Sequence, residues 1–175
     1  SMVLFTYASF HDERNVFSRT RRKNVSRWNH LGTLTQPYAR LDLNDELDIK
    51  MAEVVYKKWP LIEYSSIINL VESSYNAMEY KNLNANEVSK KIVSKILKIA
   101  KEAKIPVLFA IIYNDKVSYD MVDYIIKNGG NAVDIALDLG KNEYNNLPYD
   151  SHPSTYANSK FASKLFKPMK QILSR

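Results

Sequence analysis

The chain has 175 residues, of which 45% are hydrophobic and 25% are charged, as in an ordinary globular domain. This composition excludes a collagen, a coiled-coil rod and a wholly disordered chain. The lack of cysteine excludes disulfide scaffolds, thiolate zinc sites and cysteine nucleophiles. Apolar runs reach only about eight residues, whereas a membrane-spanning helix needs roughly 20.

The positive charge is concentrated in one window between Arg14 and Arg40, which holds seven basic residues and no acidic one. The formal net charge is +6, so the rest of the chain is close to neutral. This basic window predicts a phosphate-binding patch, a cleft for anionic substrates or a solvated surface loop. Nucleic-acid binding is the least favoured reading, because basic and aromatic residues do not alternate regularly. The seven residues are Arg14, Arg19, Arg21, Arg22, Lys23, Arg27 and Arg40.

The first half of the chain predicts one strand, a long loop and two helices. Residues 3–8 form a β-prone apolar run, typical of a buried strand. Residues 10–43 are irregular, polar and basic, which indicates a long loop. Residues 45–59 and 61–80 are predicted to be helical, with Pro60 at the first turn of the second helix. That second helix carries an apolar stripe of Ile67, Ile68, Val71, Tyr75 and Met78.

The second half alternates helices and strands. A capping pattern at Asn84 precedes a long amphipathic helix, and residues 105–112 are typical of a strand buried on both faces. Ser118 is expected to cap the next helix, and residues 132–137 predict a third strand. Ser154 is expected to cap a last helix, which Pro168 would kink.

This order predicts an α/β fold: one domain over residues 1–175, with a parallel sheet of about three strands in a three-layer αβα arrangement. The start inside a strand suggests that the chain is the C-terminal part of a longer domain. A free edge on the first strand would invite pairing with a second copy, so a homodimer is one expected partner state.

Two histidines follow predicted strands, where sites form in parallel sheets. Asp150 two residues before His152 suits a general base oriented by a carboxylate, and the alternative is a loop histidine capping a helix. His11, Arg14 and Asn15 would place oxyanion donors at a strand end, or simply pack a loop. No ligand spacing predicts a metal, and no glycine-rich phosphate loop predicts a nucleotide cofactor.

Two segments carry a family resemblance. The motif Asp150-Ser-His-Pro-Ser154, followed by a helix, resembles the last block of the SGNH/GDSL hydrolase superfamily, the serine esterases and O-acyltransferases with a flavodoxin-like sheet. Residues 3–15 (VLFTYASFHDERN) resemble a bacterial subgroup in which a strand leads to His-Glu-x-Arg-Asn. The family's Gly-Asp-Ser nucleophile block is absent from this sequence.

The resemblance implies a Ser-His-Asp mechanism on acyl esters, including those of carbohydrates, with the serine outside these residues. His152 would take the serine proton, Asp150 would orient His152, and His11 or Asn15 would help to hold the oxyanion. The basic window would then favour anionic glycans. The alternative is a non-catalytic α/β binding or interaction module whose basic loop takes anionic partners.

Overall fold

A computed structural model describes residues 1–174, apart from the side chain of Ser151. Contacts divide the chain into two compact units. We call Ser1–Ser9 with Val93–Arg175 the sheet unit, and Phe10–Ile92 the hairpin unit. A single domain over all 175 residues stays a prediction.

The helices and strands are, in chain order, β1 (Val3–Tyr7), α1 (His11–Asn15), α2 (Arg19–Ser26), β2 (Thr35–Leu41), β3 (Leu47–Glu53), α3 (Ser66–Asn82), α4 (Ala85–Glu102), β4 (Val107–Ile111), α5 (Lys116–Lys127), β5 (Asn131–Asp134), β6 (Asn145–Asn146), β7 (Asp150–Pro153) and α6 (Thr155–Leu173). Short 3-10 turns lie at Asn29–Leu31 and Asn142–Tyr144.

The sheet unit contains a three-stranded parallel sheet in the order β1-β4-β5. The α/β class with a parallel sheet is therefore confirmed. All five residues of the central strand β4 are buried, as its continuous apolar run predicts. β1 lies at an edge, so the prediction of a buried strand is wrong for Val3, Leu4 and Phe5, which are 36–39% exposed. A strand with one neighbour cannot bury its side chains as fully as a central one.

The core of the sheet unit lies between this sheet and the helices α4 and α5. Phe5 and Phe109 are register partners on neighbouring strands, and their rings stack with 5.5 Å between centroids. Met121 and Ile125, one turn apart on α5, are fully buried. The buried members of this core are Tyr7, Val93, Val107, Phe109, Ile111, Met121 and Ile125.

The hairpin unit is built on an antiparallel hairpin of β2 and β3, and this overturns two predictions. Residues 10–43 are not one loop, since they hold α1, α2 and β2. Residues 45–59 are not helical, because Asp42 starts a tight turn: its side chain accepts bonds from the backbone N–H of Asn44 and Glu46. With Asp45 at φ 61°, that turn pairs Leu41 with Leu47 and starts β3.

Helix α3 begins later than predicted and buries a different face from the predicted one. It starts at Ser66, because Leu61 has φ 61° and Ser65 accepts a bond from the N–H of Ile68. The predicted apolar stripe is largely exposed, with Ile67 at 73%. The buried residue of α3 is instead Glu72, at 3%.

The remaining helices follow the sequence more closely. Ser154 caps α6 as predicted, and α6 continues through Pro168. Asp115 rather than Ser118 caps α5, since its carboxylate accepts the N–H of Ser118. Gly129, at φ 78°, follows the end of α5, where a left-handed residue is common. None of the described helices is long and apolar enough to cross a bilayer.

Candidate functional site

Asp150 and His152 form a contact on β7, just before α6. The strand is held by β6 and by the bond from Ser154 N–H to the Tyr144 carbonyl. One carboxylate oxygen of Asp150 accepts the backbone N–H of His152 at 2.7 Å and lies 3.3 Å from its Nδ1. The two-residue spacing therefore brings the carboxylate to the imidazole, as predicted.

This dyad is open to solvent, with the His152 side chain 83% exposed and that of Asp150 50% exposed. The backbone bond from His152 lowers the pKa of Asp150, so its carboxylate stays charged at neutral pH. A charged carboxylate at Nδ1 favours the tautomer with its proton there. Nε2 bonds to no described residue and is available to exchange a proton.

The other predicted site residues, His11, Arg14 and Asn15, lie together on α1 in the hairpin unit. The Asn15 side-chain amide donates to Ser89 Oγ at 2.9 Å, and Arg14 lies over the Phe10 ring. Burial, followed by the positive charge of Arg14, lowers the pKa of His11, so that imidazole is neutral at pH 7. A shared site of His11 with the dyad stays a prediction.

Buried Asp12, next to His11, accepts bonds from Tyr80 and Asn86. These contacts fix α1 against its own unit. Within residues 1–174, no group of three or more His, Asp or Glu side chains is placed to hold a metal ion.

Helix α3 neutralises much of the basic window. Arg19 and Lys23, on one face of α2, bind the two carboxylate oxygens of Glu72 at 2.9 and 2.5 Å. Arg22 binds Glu79, seven residues further along α3, at 3.1 Å. The sequence signal for this pairing is a row of cations at one-turn spacing on α2 and two acidic residues two turns apart on α3. These three cations are therefore not a free phosphate-binding patch.

Glu72 is the centre of that charge cluster. It also accepts the Tyr56 hydroxyl at 2.6 Å, and the Arg19 guanidinium lies over the Tyr56 and Trp59 rings. Burial by itself would raise the pKa of Glu72. The bonds from Lys23, Tyr56 and Arg19 outweigh it and hold that pKa at about 2.

Acid is therefore expected to destabilise the protein through Glu72. Its folded pKa of about 2 lies below the ordinary 4.5, so the unfolded state takes up the proton first. The contribution is complete above pH 4.5 and is lost as the pH falls towards 2, by about 3 kcal/mol. The measurement is the difference in unfolding free energy between wild type and Glu72→Gln from pH 6 to 2. A difference that does not shrink on acidification contradicts the assignment.

Arg14 and Arg21 remain outside this neutralised set. Arg21 points away from the α3-binding face, since residues two apart lie on opposite sides of a helix. Both line a pocket of about 440 Å³ in the hairpin unit with Asn15 and residues of β2. The sequence predicts Arg14 and Asn15 as site residues and names Arg21 only as one of the seven residues of the basic window, whereas its partner Gln36 was missed.

Two further features of the sheet unit involve residues that were not among the predicted site residues. Ser9, after β1, donates its hydroxyl to Asp115, after β4, so the carboxyl ends of neighbouring strands do bring polar groups together. The carboxylate that accepts this hydroxyl also caps α5, so the bond ties the loop after β1 to the start of that helix. A larger cavity of about 590 Å³ lies at the opposite edge, where β4 and β5 begin.

Comparison of the chain with protein-family models, with curated proteins and with solved structures finds no match.

Proposed function

We propose that this chain supplies the acid–base dyad of an SGNH-type ester hydrolase or O-acyltransferase, on a flavodoxin-like α/β fold. The observation that carries the proposal is the placement of Asp150 Oδ1 3.3 Å from His152 Nδ1. It is supported by the position of the dyad directly before α6, where the resembling family carries its catalytic Asp and His.

In this proposal His152 takes a proton from a nucleophilic serine. The Gly-Asp-Ser block that carries this serine in the resembling family does not occur in these 175 residues. As the serine oxygen bonds to the acyl carbon, its proton moves to His152 Nε2. Asp150 stabilises the resulting imidazolium. The imidazolium then returns the proton to the departing alkoxide, and the acyl-serine passes its acyl group to water or to an acceptor hydroxyl.

The oxyanion of the intermediate needs donors that are already in place. His11 and Asn15 are the proposed donors, and one N–H of the Asn15 amide already bonds to Ser89. That bond orients the amide and leaves its second N–H for the substrate oxygen. Acyl esters of carbohydrates are the proposed substrate class.

The test is turnover of p-nitrophenyl acetate by the protein that carries this sequence. His152→Ala is expected to lower kcat by about 10³-fold or more, because the proton acceptor is lost. Asp150→Asn is expected to lower it strongly as well, by removing the orienting charge. His30→Ala is the matched control, since His30 is an exposed histidine in the hairpin unit. A His152→Ala variant as active as wild type, or a wild type without turnover, overturns the proposal.

A further inference from the structure

The pocket in the hairpin unit is defined by two cations without counterions. Arg14 and Arg21 both line it, and neither pairs with a carboxylate among residues 1–174. By contrast, Arg19, Arg22 and Lys23 are bound by carboxylates of α3. No described Asp or Glu lines the pocket. Four cations of the basic window form no ion pair with a described carboxylate, and two of them, Arg14 and Arg21, lie at this one cavity, whereas Arg27 and Arg40 do not line it.

Arg21 is held in place rather than free in solvent. Its Nε donates to the Gln36 side-chain oxygen at 3.2 Å, which leaves the terminal nitrogens of the guanidinium for a ligand. Burial and then the nearby charge of Arg14 lower the pKa of Arg21. The two guanidinium groups therefore repel each other, and an anion placed between them would relieve that repulsion.

The remainder of the pocket is mostly apolar. Pro37 and Ala39 of β2, Ile49 of β3 and Ile92 of α4 form its wall. Its volume of about 440 Å³ lies within the range usual for small-molecule sites. The cavity thus combines two guanidinium groups with an apolar wall. A phosphate ion alone would leave the apolar wall without a contact.

We propose that this pocket binds a small organic anion, with its carboxylate or phosphate group on Arg14 and Arg21 and its apolar body against Pro37 and Ile49. Guanidinium groups suit both headgroups because their N–H donors match two oxygens at once. The site lies in the hairpin unit and shares Asn15 with the proposed oxyanion donors, but binding of an anion there does not require ester turnover.

Isothermal titration calorimetry with three probes that share an aromatic body tests this site: 4-phenylbutyrate, phenyl phosphate and the neutral 4-phenylbutanamide. Wild type is expected to bind at least one anion more than tenfold more tightly than the amide. The preferred anion distinguishes a carboxylate ligand from a phosphate ligand. Equal affinity for amide and anions, or binding of none, overturns the proposal without any variant.

Substitutions then locate the site. Arg14→Gln and Arg21→Gln are each expected to weaken binding of the preferred anion by about 10- to 100-fold. Arg27→Gln removes the same charge from an exposed position of the basic window and is expected to leave the affinity within about twofold. An equal loss in Arg27→Gln contradicts a defined pocket. His152→Ala is expected to bind like wild type, which separates this site from the dyad.

Discussion

Replacing Glu72 by glutamine is expected to destabilise the protein by about 3–5 kcal/mol at neutral pH, the usual cost of breaking a buried ion pair. The amide keeps the shape of the side chain but removes the charge shared by Arg19, Lys23 and the Tyr56 hydroxyl. Arg19 is only 12% exposed, so its charge would remain buried without a counterion.

The remaining negative charge of the cluster is too small to compensate for the loss of the Glu72 carboxylate. Arg19, Arg22 and Lys23 bring three positive charges against the two carboxylates of Glu72 and Glu79. The Nε atoms of Arg19 and Arg22 are already buried without a hydrogen-bond partner. With Glu72 neutral, a single carboxylate faces three cations.

Chemical denaturation followed by tryptophan fluorescence measures this effect locally, because Trp28 and Trp59 both lie in the hairpin unit and Trp59 is 5.2 Å from the Arg19 guanidinium. Glu63→Gln is the matched control. Its pair with Lys58 is exposed to solvent and screened, so a far smaller loss than that of Glu72→Gln is expected. Similar losses in the two variants would show that Glu72 is not the centre of the cluster.

The sheet unit was largely predictable because its sequence signals are local and agree with one another. The apolar run that became β4 has no polar residue to place it at a surface, and the helices α4 and α5 repeat apolar residues at helical spacing. The exposure of β1 could not be predicted in this way. An apolar strand has the same sequence pattern whether it pairs with one neighbouring strand or with two.

The hairpin unit was poorly predicted because its structure depends on pairings distant in sequence. β3 contains Leu47, Lys50 and Glu53, which are acceptable in a helix, and only the turn at Asp42 and pairing with β2 select a strand. The orientation of α3 is likewise set by the cations of α2, more than 40 residues earlier. Hydrophobicity alone would predict that α3 buries its apolar stripe instead of Glu72.

The two candidate sites also differ in how far the sequence predicts them. Asp150 and His152 were predictable because a spacing of two residues fixes their proximity on one short strand. The pocket of Arg14 and Arg21 was predicted only in part. A run of basic residues does not say which of them are neutralised, and that depends on the acidic face of α3.

Truncating Ile125 to alanine is expected to cost about 2–5 kcal/mol, because this fully buried side chain of α5 lies in the core with Met121 and Phe109. Gly130 lies against the same side chain. A Cβ added at Gly130 would come within 2.7 Å of Ile125 Cγ2 and 2.9 Å of Leu97 Cδ2. Gly130→Ala alone is therefore expected to cost about 1–3 kcal/mol through overpacking.

The two substitutions are not expected to add. Ile125→Ala removes Cγ2, the nearest of the atoms that the new methyl group at residue 130 would strike, and the methyl group fills part of the space left behind. The double variant should be about 0.5–3 kcal/mol more stable than the sum of the two single losses predicts. Urea denaturation followed by circular dichroism measures this cycle. Gly140→Ala, whose nearest contact would be the Asp138 carboxylate at 3.1 Å, serves as the control and should be additive with Ile125→Ala. Strict additivity at Gly130 would mean that α5 and the turn into β5 are not packed against each other at this point.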